Sequence, residues 1–157
     1  MSITTDRIEA RLHSLGVVLP EPAKPIANYV PAVRTGNLLF VSGQVPMREG
    51  KLAYTGKLGA GVPVEMGQQA AQLCFINVLA QARAMLGSLD RVTRVVRLGG
   101  FIAAVPEFTL HAQVMNGASD MAVAVFDDVG RHARTTIGVP SLPGDAAVEV
   151  EALFEVA

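Results

Sequence analysis

Apolar and polar residues alternate from Val148 to Val156, with Leu153 as the apolar exception on the polar side. Val148, Val150, Ala152, Phe154 and Val156 share one face; Glu149, Glu151, Leu153 and Glu155 share the other. A period of two is strand geometry, so this segment reads as a β-strand with its first set against a core. Elsewhere the period changes. Ile8, Leu12 and Leu15 recur at four and three, which predicts a short helix capped by Thr4 or Thr5 and stopped at Gly16. Leu19 to Pro25 holds three prolines and reads as an extended connector. Asn28–Arg34 and Asn37–Ser42 flank Thr35-Gly36 and predict a hairpin. Within it, Leu38-Leu39-Phe40-Val41 is apolar in both registers, as in a strand covered on both faces. Gly43 to Gly61 is a glycine-rich loop without the GxxxxGK[ST] order of a phosphate cradle.

Pro63 and Glu65 suit the first turn of a long helix ending at about Leu86, with Gly87 as its stop. Met66, Ala70, Leu73, Asn77, Ala80 and Ala84 form its predicted packing stripe, and Cys74 within it reads as a buried, inert thiol. Arg94–Ala103 predicts a strand in which Gly99-Gly100 marks a bulge or a close backbone approach. Pro106 to Val129 predicts a second helical region interrupted at Asn116–Asp120, where Ser119 or Asp120 recaps it. Arg134–Val139 and Ala147–Val156 are the last strands. The order of hairpin, helix, strand, helix and two strands describes an α+β layer with helices on one face of a mixed sheet.

Composition narrows the function. The chain has 157 residues, half of them apolar and only 17% charged, with a net charge of −1. An ordinary soluble domain carries roughly a quarter charged residues. The shortfall suggests apolar surface covered by another chain, hence an oligomer. The apolar content excludes a disordered chain. The absence of net positive charge, with no tryptophan among the aromatics, argues against nucleic-acid binding. The single cysteine provides no disulfide or zinc pattern. No targeting segment or membrane span is legible, so a cytoplasmic protein is expected.

Two polar clusters could carry chemistry. Glu149 is either a solvated strand carboxylate or a general acid or base in a partly buried cleft. Arg131, His132 and Arg134 precede Thr135-Thr136; they form a solvated strand entry, or else Arg134 clamps a carboxylate with its planar fork. His13, His111 and His132 are scattered and have no ligand spacing, so no metal or cofactor is expected. Neither GxSxG nor a Cys–His arrangement supports a covalent nucleophile.

Gly36-Asn37-Leu38-Leu39-Phe40-Val41-Ser42-Gly43-Gln44-Val45-Pro46 resembles the N-terminal signature of the RidA (YjgF, endoribonuclease L-PSP-like) family. Arg134 through Leu142-Pro143 to Ala147-Val148-Glu149-Val150-Glu151-Ala152 resembles its C-terminal signature. The resemblance implies one RidA-like domain over residues 1–157, with a helix and connector over 1–25 and the core over 26–157. It further implies a chorismate-mutase-like α+β fold and a homotrimer whose clefts bind small carboxylate-bearing metabolites. In deaminase members these clefts hydrolyse 2-imino or enamine acids. By position, Arg134 grips the substrate carboxylate and Glu149 positions water or moves a proton. Tyr29, Gly43, Thr136 and Ile137 fall on substrate-binding positions. The alternative functions are a non-catalytic metabolite-binding trimer and, last, an endoribonuclease. Departures from the deaminase type are Thr135-Thr136 in place of Ser-Cys and Pro106 before Glu107-Phe108. A longer Phe108–Arg134 segment and an additional N-terminal helix also mark a separate subgroup.

Overall fold

The computed structural model describes residues 6–157. Its elements in chain order are α1 (Arg7–Ser14), β1 (Ala32–Thr35), β2 (Leu38–Gln44), β3 (Met47–Arg48), β4 (Lys51–Leu52), β5 (Lys57–Leu58), β6 (Gly61–Val62), α2 (Val64–Leu86), β7 (Val92–Ala103), α3 (His111–Phe126), β8 (Ala133–Val139) and β9 (Val148–Val156). Five strands form one mixed sheet in the order β1-β2-β9-β7-β8. Within this sheet β7 and β8 run parallel and the other neighbouring pairs are antiparallel. Helices α2 and α3 cover one face of this sheet. The predicted α+β layer is therefore the observed one.

The hairpin turns at Gly36, whose φ of +58° suits a residue without a Cβ, and pairs Thr35 with Leu38. Its first strand begins only at Ala32, later than the predicted Asn28, because the chain before it follows turns rather than a ladder. In β9, the Val148 to Val156 set is buried against the helices and the glutamates lie on the opposite face, as the alternation predicts. That opposite face is open. Val33, Phe40 and Leu153 stand in one cross-strand row on it, and Val33 and Phe40 are about half exposed.

Helix α2 ends at Gly87 as expected, and Ala70, Leu73, Asn77 and Ala80 of the predicted stripe are buried, but the covered surface is wider than that stripe and leaves out its two ends. Met66 and Ala84 are exposed, while Gly67, Ala71, Cys74, Phe75, Val78 and Ala82 are buried. The helix packs on both the sheet and α3, so more than one stripe is covered. Cys74 is fully buried beneath β9, its Sγ 3.4 Å from the Val148 carbonyl oxygen, and burial raises its pKa well above the usual thiol value.

Helix α3 corrects two expectations. It begins at His111, not Pro106, and it runs without interruption through Asn116–Asp120. Gly117 sits where α3 crosses α2, and a Cβ there would overlap the Gln68 carbonyl oxygen. The glycine is a packing device, not a breaker. Gly99-Gly100 is likewise a close approach and not a bulge, since the β7–β9 register passes through both. A Cβ at Gly100 would lie 2.5 Å from the Met115 sulfur, and one at Gly99 would lie 2.7 Å from a Glu151 carboxylate oxygen.

Thr4 and Thr5 lie outside the described residues, and α1 is capped from a distance. The Asp90 carboxylate accepts hydrogen bonds from the backbone N–H of Arg7 (2.9 Å) and Ile8 (2.8 Å), two of the orphan donors of a helix start. Ile8 and Leu12 are buried beneath. Asp90→Ala is expected to lower stability by about 1 kcal/mol, which for a chain of this size is about 3 °C in Tm. An unchanged thermal melt would show that water caps the helix as well.

Candidate functional site

The β9 alternation places Glu149 on the open sheet face, in the cross-strand row Glu149–Phe101–Ile137. Beside it, β2 leaves register with β9 between Val41 and Gln44. Gly43 lies in that irregularity, and a Cβ there would stand 2.9 Å from both Cδ and Oε2 of Glu149. The missing side chain is the space the carboxyl occupies. Tyr29, Gly43 and Glu149, three of the sequence-derived candidates, line a single cavity of about 140 Å³.

The extended connector closes this cavity through residues Ala23 to Ile26. Buried amides hold it there. Gln81 Nε2 donates to the Ala23 carbonyl at 2.6 Å and approaches Gln44 Oε1 at 3.4 Å. Asn77 Nδ2 donates to the Met47 carbonyl at 3.0 Å, tying β3 to α2. Neither amide nor connector featured in the sequence reading as part of a site. A polar residue on the covered face of α2 was the available signal, since a buried amide has to find partners. A larger cleft, about 510 Å³ between the connector, β3 and α2, contains none of the candidate residues.

Glu149 is half-buried. Burial, and then the charge of Glu151, raises its carboxyl pKa above the ordinary 4.5. Glu151 itself stands 3.6 Å from Arg97 across the open face. The unfolded chain releases this proton near the ordinary value, whereas the folded chain retains it to higher pH. Stability therefore falls as pH rises through that window. Glu149→Gln is expected to melt above the unsubstituted protein at about pH 7, and the gap should close below about pH 4. A gap of the same size at both pH values would contradict a desolvated carboxylate.

Arg134 and Thr136 belong to a different surface. They pair with Leu98 and Gly100 of β7 and therefore face the helices. Arg134 Nη1 donates to Asn116 Oδ1 at 2.8 Å and to Ser119 Oγ at 3.1 Å, and Nη2 donates to the Ala112 carbonyl at 3.4 Å. A guanidinium has five N–H groups. Nε–H and one of the two Nη2–H groups are left without a partner among the described residues, and an Nε/Nη2 edge is able to hold a carboxylate bidentately. Thr136 Oγ1 is buried and has no hydrogen-bond partner among the described residues. Ile137 points to the open face, about half exposed.

The rest of the basic cluster divides. Arg131 forms an exposed ion pair with Asp128 at 3.8 Å, the solvated arrangement. His132 turns inward to Ser119. His111 lies apart, edge-on to Phe108 with ring centroids 5.3 Å apart, and a Cβ on Gly138 would meet its ring. The sequence reading missed Asn116 and Ser119. Their spacing of three on one helix face was the signal, but Asn-Gly beside them suggested a break.

One chain does not bring Arg134 and Glu149 together. Strand β7 lies between β8 and β9, and Glu149 is level with Ile137, three residues beyond Arg134. With strands about 4.8 Å apart and about 3.3 Å per residue, the two backbones are about 14 Å apart. Their side chains point to opposite sheet faces. The chain thus presents two half-sites: a guanidinium fork at the β8 edge, and a carboxyl cavity at β2 and β9.

Comparison with known proteins assigns this fold to a class and then to a family. The chain has the α+β fold of chorismate-mutase-like proteins, and the family described as "YjgF/chorismate mutase-like, putative endoribonuclease" matches residues 9–156. The chain belongs to this family. It is 48% identical to protein TCP17 of Trypanosoma cruzi, over 98% of this chain and 96% of that protein. It is 31% identical to the 2-iminobutanoate/2-iminopropanoate deaminase of Dermatophagoides farinae, over 85% of this chain and 90% of the other. Among solved structures it is similar to Atu1372 of Agrobacterium tumefaciens, a protein of unknown function. There the identity is 49% and the TM-score 0.91, with 96% and 93% of the two chains covered. It is also similar to Escherichia coli TdcF with bound serine, at 25% identity and a TM-score of 0.61, with 89% and 96% covered.

Proposed function

We propose that this protein is a homotrimeric hydrolase of small 2-imino acids, its site assembled from the Arg134 half of one copy and the Tyr29–Gly43–Glu149 half of the next. The observation that carries this reading is the pair of complementary half-sites on opposite faces of one sheet. A fork with two N–H groups to spare and a half-buried carboxyl serve one ligand only if different copies supply them. The open face is suited to such packing, since Val33, Phe40 and Ile137 are large, apolar and about half exposed. The cavity of one chain, about 140 Å³, is also smaller than the roughly 300–1,000 Å³ of ordinary ligand pockets. The deaminase relative and the serine-bound TdcF support a ligand that carries both a carboxylate and nitrogen at the adjacent carbon.

The chemistry needs little beyond positioning. Arg134 holds the carboxylate of the imino acid, which aims the C=N carbon at the Glu149 cavity of the neighbouring copy. Ionised Glu149 takes a proton from water as its oxygen adds to that carbon, and hands this proton to the nitrogen to give the carbinolamine. It then takes the hydroxyl proton as the C–N bond breaks and passes it to the departing nitrogen, so that ammonia and the 2-oxo acid leave and Glu149 ends ionised. The imine is already electrophilic, so orientation supplies most of the acceleration. No cofactor enters the balance.

The test is ammonia release from 2-iminopropanoate generated in place by an amino-acid oxidase. The protein is expected to accelerate it, and Glu149→Gln should remove the acceleration while leaving pyruvate binding intact. Pyruvate binding without any acceleration would instead establish a metabolite-binding trimer. RNA cleavage is disfavoured by the net charge of −1 and by Glu149, Glu151 and Glu155 lining the open face.

A further inference from the structure

The polar side chains around Arg134 form a chain of hydrogen bonds that runs in one direction when the His132 ring is neutral. His132 Nδ1 lies 2.6 Å from the Gly130 carbonyl oxygen. A carbonyl only accepts, so Nδ1 carries a proton. In the neutral ring Nε2 is then an acceptor, and it lies 2.8 Å from Ser119 Oγ. The serine therefore donates to His132 and turns its lone pairs toward Arg134 Nη1, 3.1 Å away. Asn116 Oδ1 accepts the second Nη1 hydrogen at 2.8 Å. Both Nη1 hydrogens are thus spoken for, Nη2 gives one to the Ala112 carbonyl, and Nε–H and the second Nη2–H remain. Without the serine and the asparagine, only the longer contact from Nη2 to the Ala112 carbonyl, 3.4 Å, would bias which edge of the guanidinium is presented.

We infer that Asn116, Ser119 and His132 are positioning residues that fix the rotation of the Arg134 guanidinium so that its Nε/Nη2 edge faces the ligand carboxylate. This rests on the reading of Arg134 as the carboxylate clamp and extends it to three residues that touch no substrate. It also explains two features of the sequence. Asn116 and Ser119 lie on the stretch of α3 that looks like a helix break, and His132 lies two residues before the arginine it orders.

Nitrogen-15 NMR of the arginine guanidinium groups in the full-length protein tests the inference without any ligand. Arg134 is expected to show slow rotation about Nε–Cζ and resolved Nη hydrogens, both assigned by their loss in Arg134→Ala. Ser119→Ala and His132→Phe should average these signals, and Ser119→Thr, which keeps the hydroxyl, should preserve them. In parallel, pyruvate affinity should fall roughly tenfold in Ser119→Ala, the equivalent of one charge-assisted hydrogen bond, and recover in Ser119→Thr. Arg134 signals unaltered by Ser119→Ala and by His132→Phe would overturn the positioning role, whatever pyruvate does. Altered signals together with no pyruvate binding in the unsubstituted protein would instead overturn the clamp reading. If Ser119→Ala lowers Tm sharply, Asn116→Asp replaces it. The added charge should tighten the guanidinium, slow the Arg134 rotation further and leave the fold intact; faster rotation there would also count against the inference.

Discussion

Replacing Arg134 with alanine is expected to remove pyruvate binding and imine hydrolysis together, by roughly a hundredfold or more in kcat/KM. A bidentate carboxylate contact is two charge-assisted hydrogen bonds, and the loss of about 3 kcal/mol corresponds to that factor. The fold should tolerate the change. Arg134 lies on an edge strand and is only partly buried, and its partners Asn116 and Ser119 can turn to water. Lysine should not rescue, because an ammonium offers neither the planar fork nor the two parallel donors. Steady-state kinetics alongside calorimetric titration with pyruvate would separate the outcomes. Full activity in Arg134→Ala would remove the clamp from the account.

The second large effect is structural. Gly117→Val is expected to prevent α2 and α3 from closing on one another, at a cost at or beyond the about 1–3 kcal/mol typical of overpacking. The obstruction is the Gln68 backbone carbonyl, which has no rotamer to adopt, so the helices themselves must separate. At about 2–4 °C per kcal/mol for a chain of this size, the midpoint should drop by about 10 °C, if the variant remains soluble. Gly43→Ala offers the contrast. Its Cβ would meet the end of the Glu149 side chain, 2.9 Å away, and a side chain can swing aside. A thermal melt that ranks Gly43→Ala below Gly117→Val in stability would contradict this assignment of backbone and side-chain clashes.

These contrasts show where the sequence was legible. Gly36 in the hairpin, Gly87 at the end of α2 and the alternation along β9 are local signals, set by φ or by a period of two, and the structure retains each of them. Asn116-Gly117 misled because its glycine answers to a helix elsewhere in the chain, and tertiary packing overrides local propensity. The partners of Gln81 and Asn77 were hidden for the same reason, since they lie in the connector and in β3.

The candidate residues were legible one by one, but their arrangement was not. Tyr29, Gly43 and Glu149 do meet around one cavity. Arg134 is close to Glu149 in sequence, yet β7 is inserted between their strands and runs parallel to β8. No reading of local period reveals which strand lies between two others. The separation is also the source of the central claim, that a site needs two copies.

Mixing two inactive variants tests that claim most directly. Arg134→Ala and Glu149→Gln chains, unfolded together and refolded at equal concentrations, assemble at random. A site built across two copies is intact when the first supplies Arg134 and the second Glu149, which occurs in about a quarter of sites in a cyclic oligomer. Imine hydrolysis is expected to recover to about that fraction of the unsubstituted rate, from nearly nothing in either variant alone. No recovery, in mixed oligomers shown by mass spectrometry to contain both chains, would place Arg134 and Glu149 in separate roles and contradict the shared site.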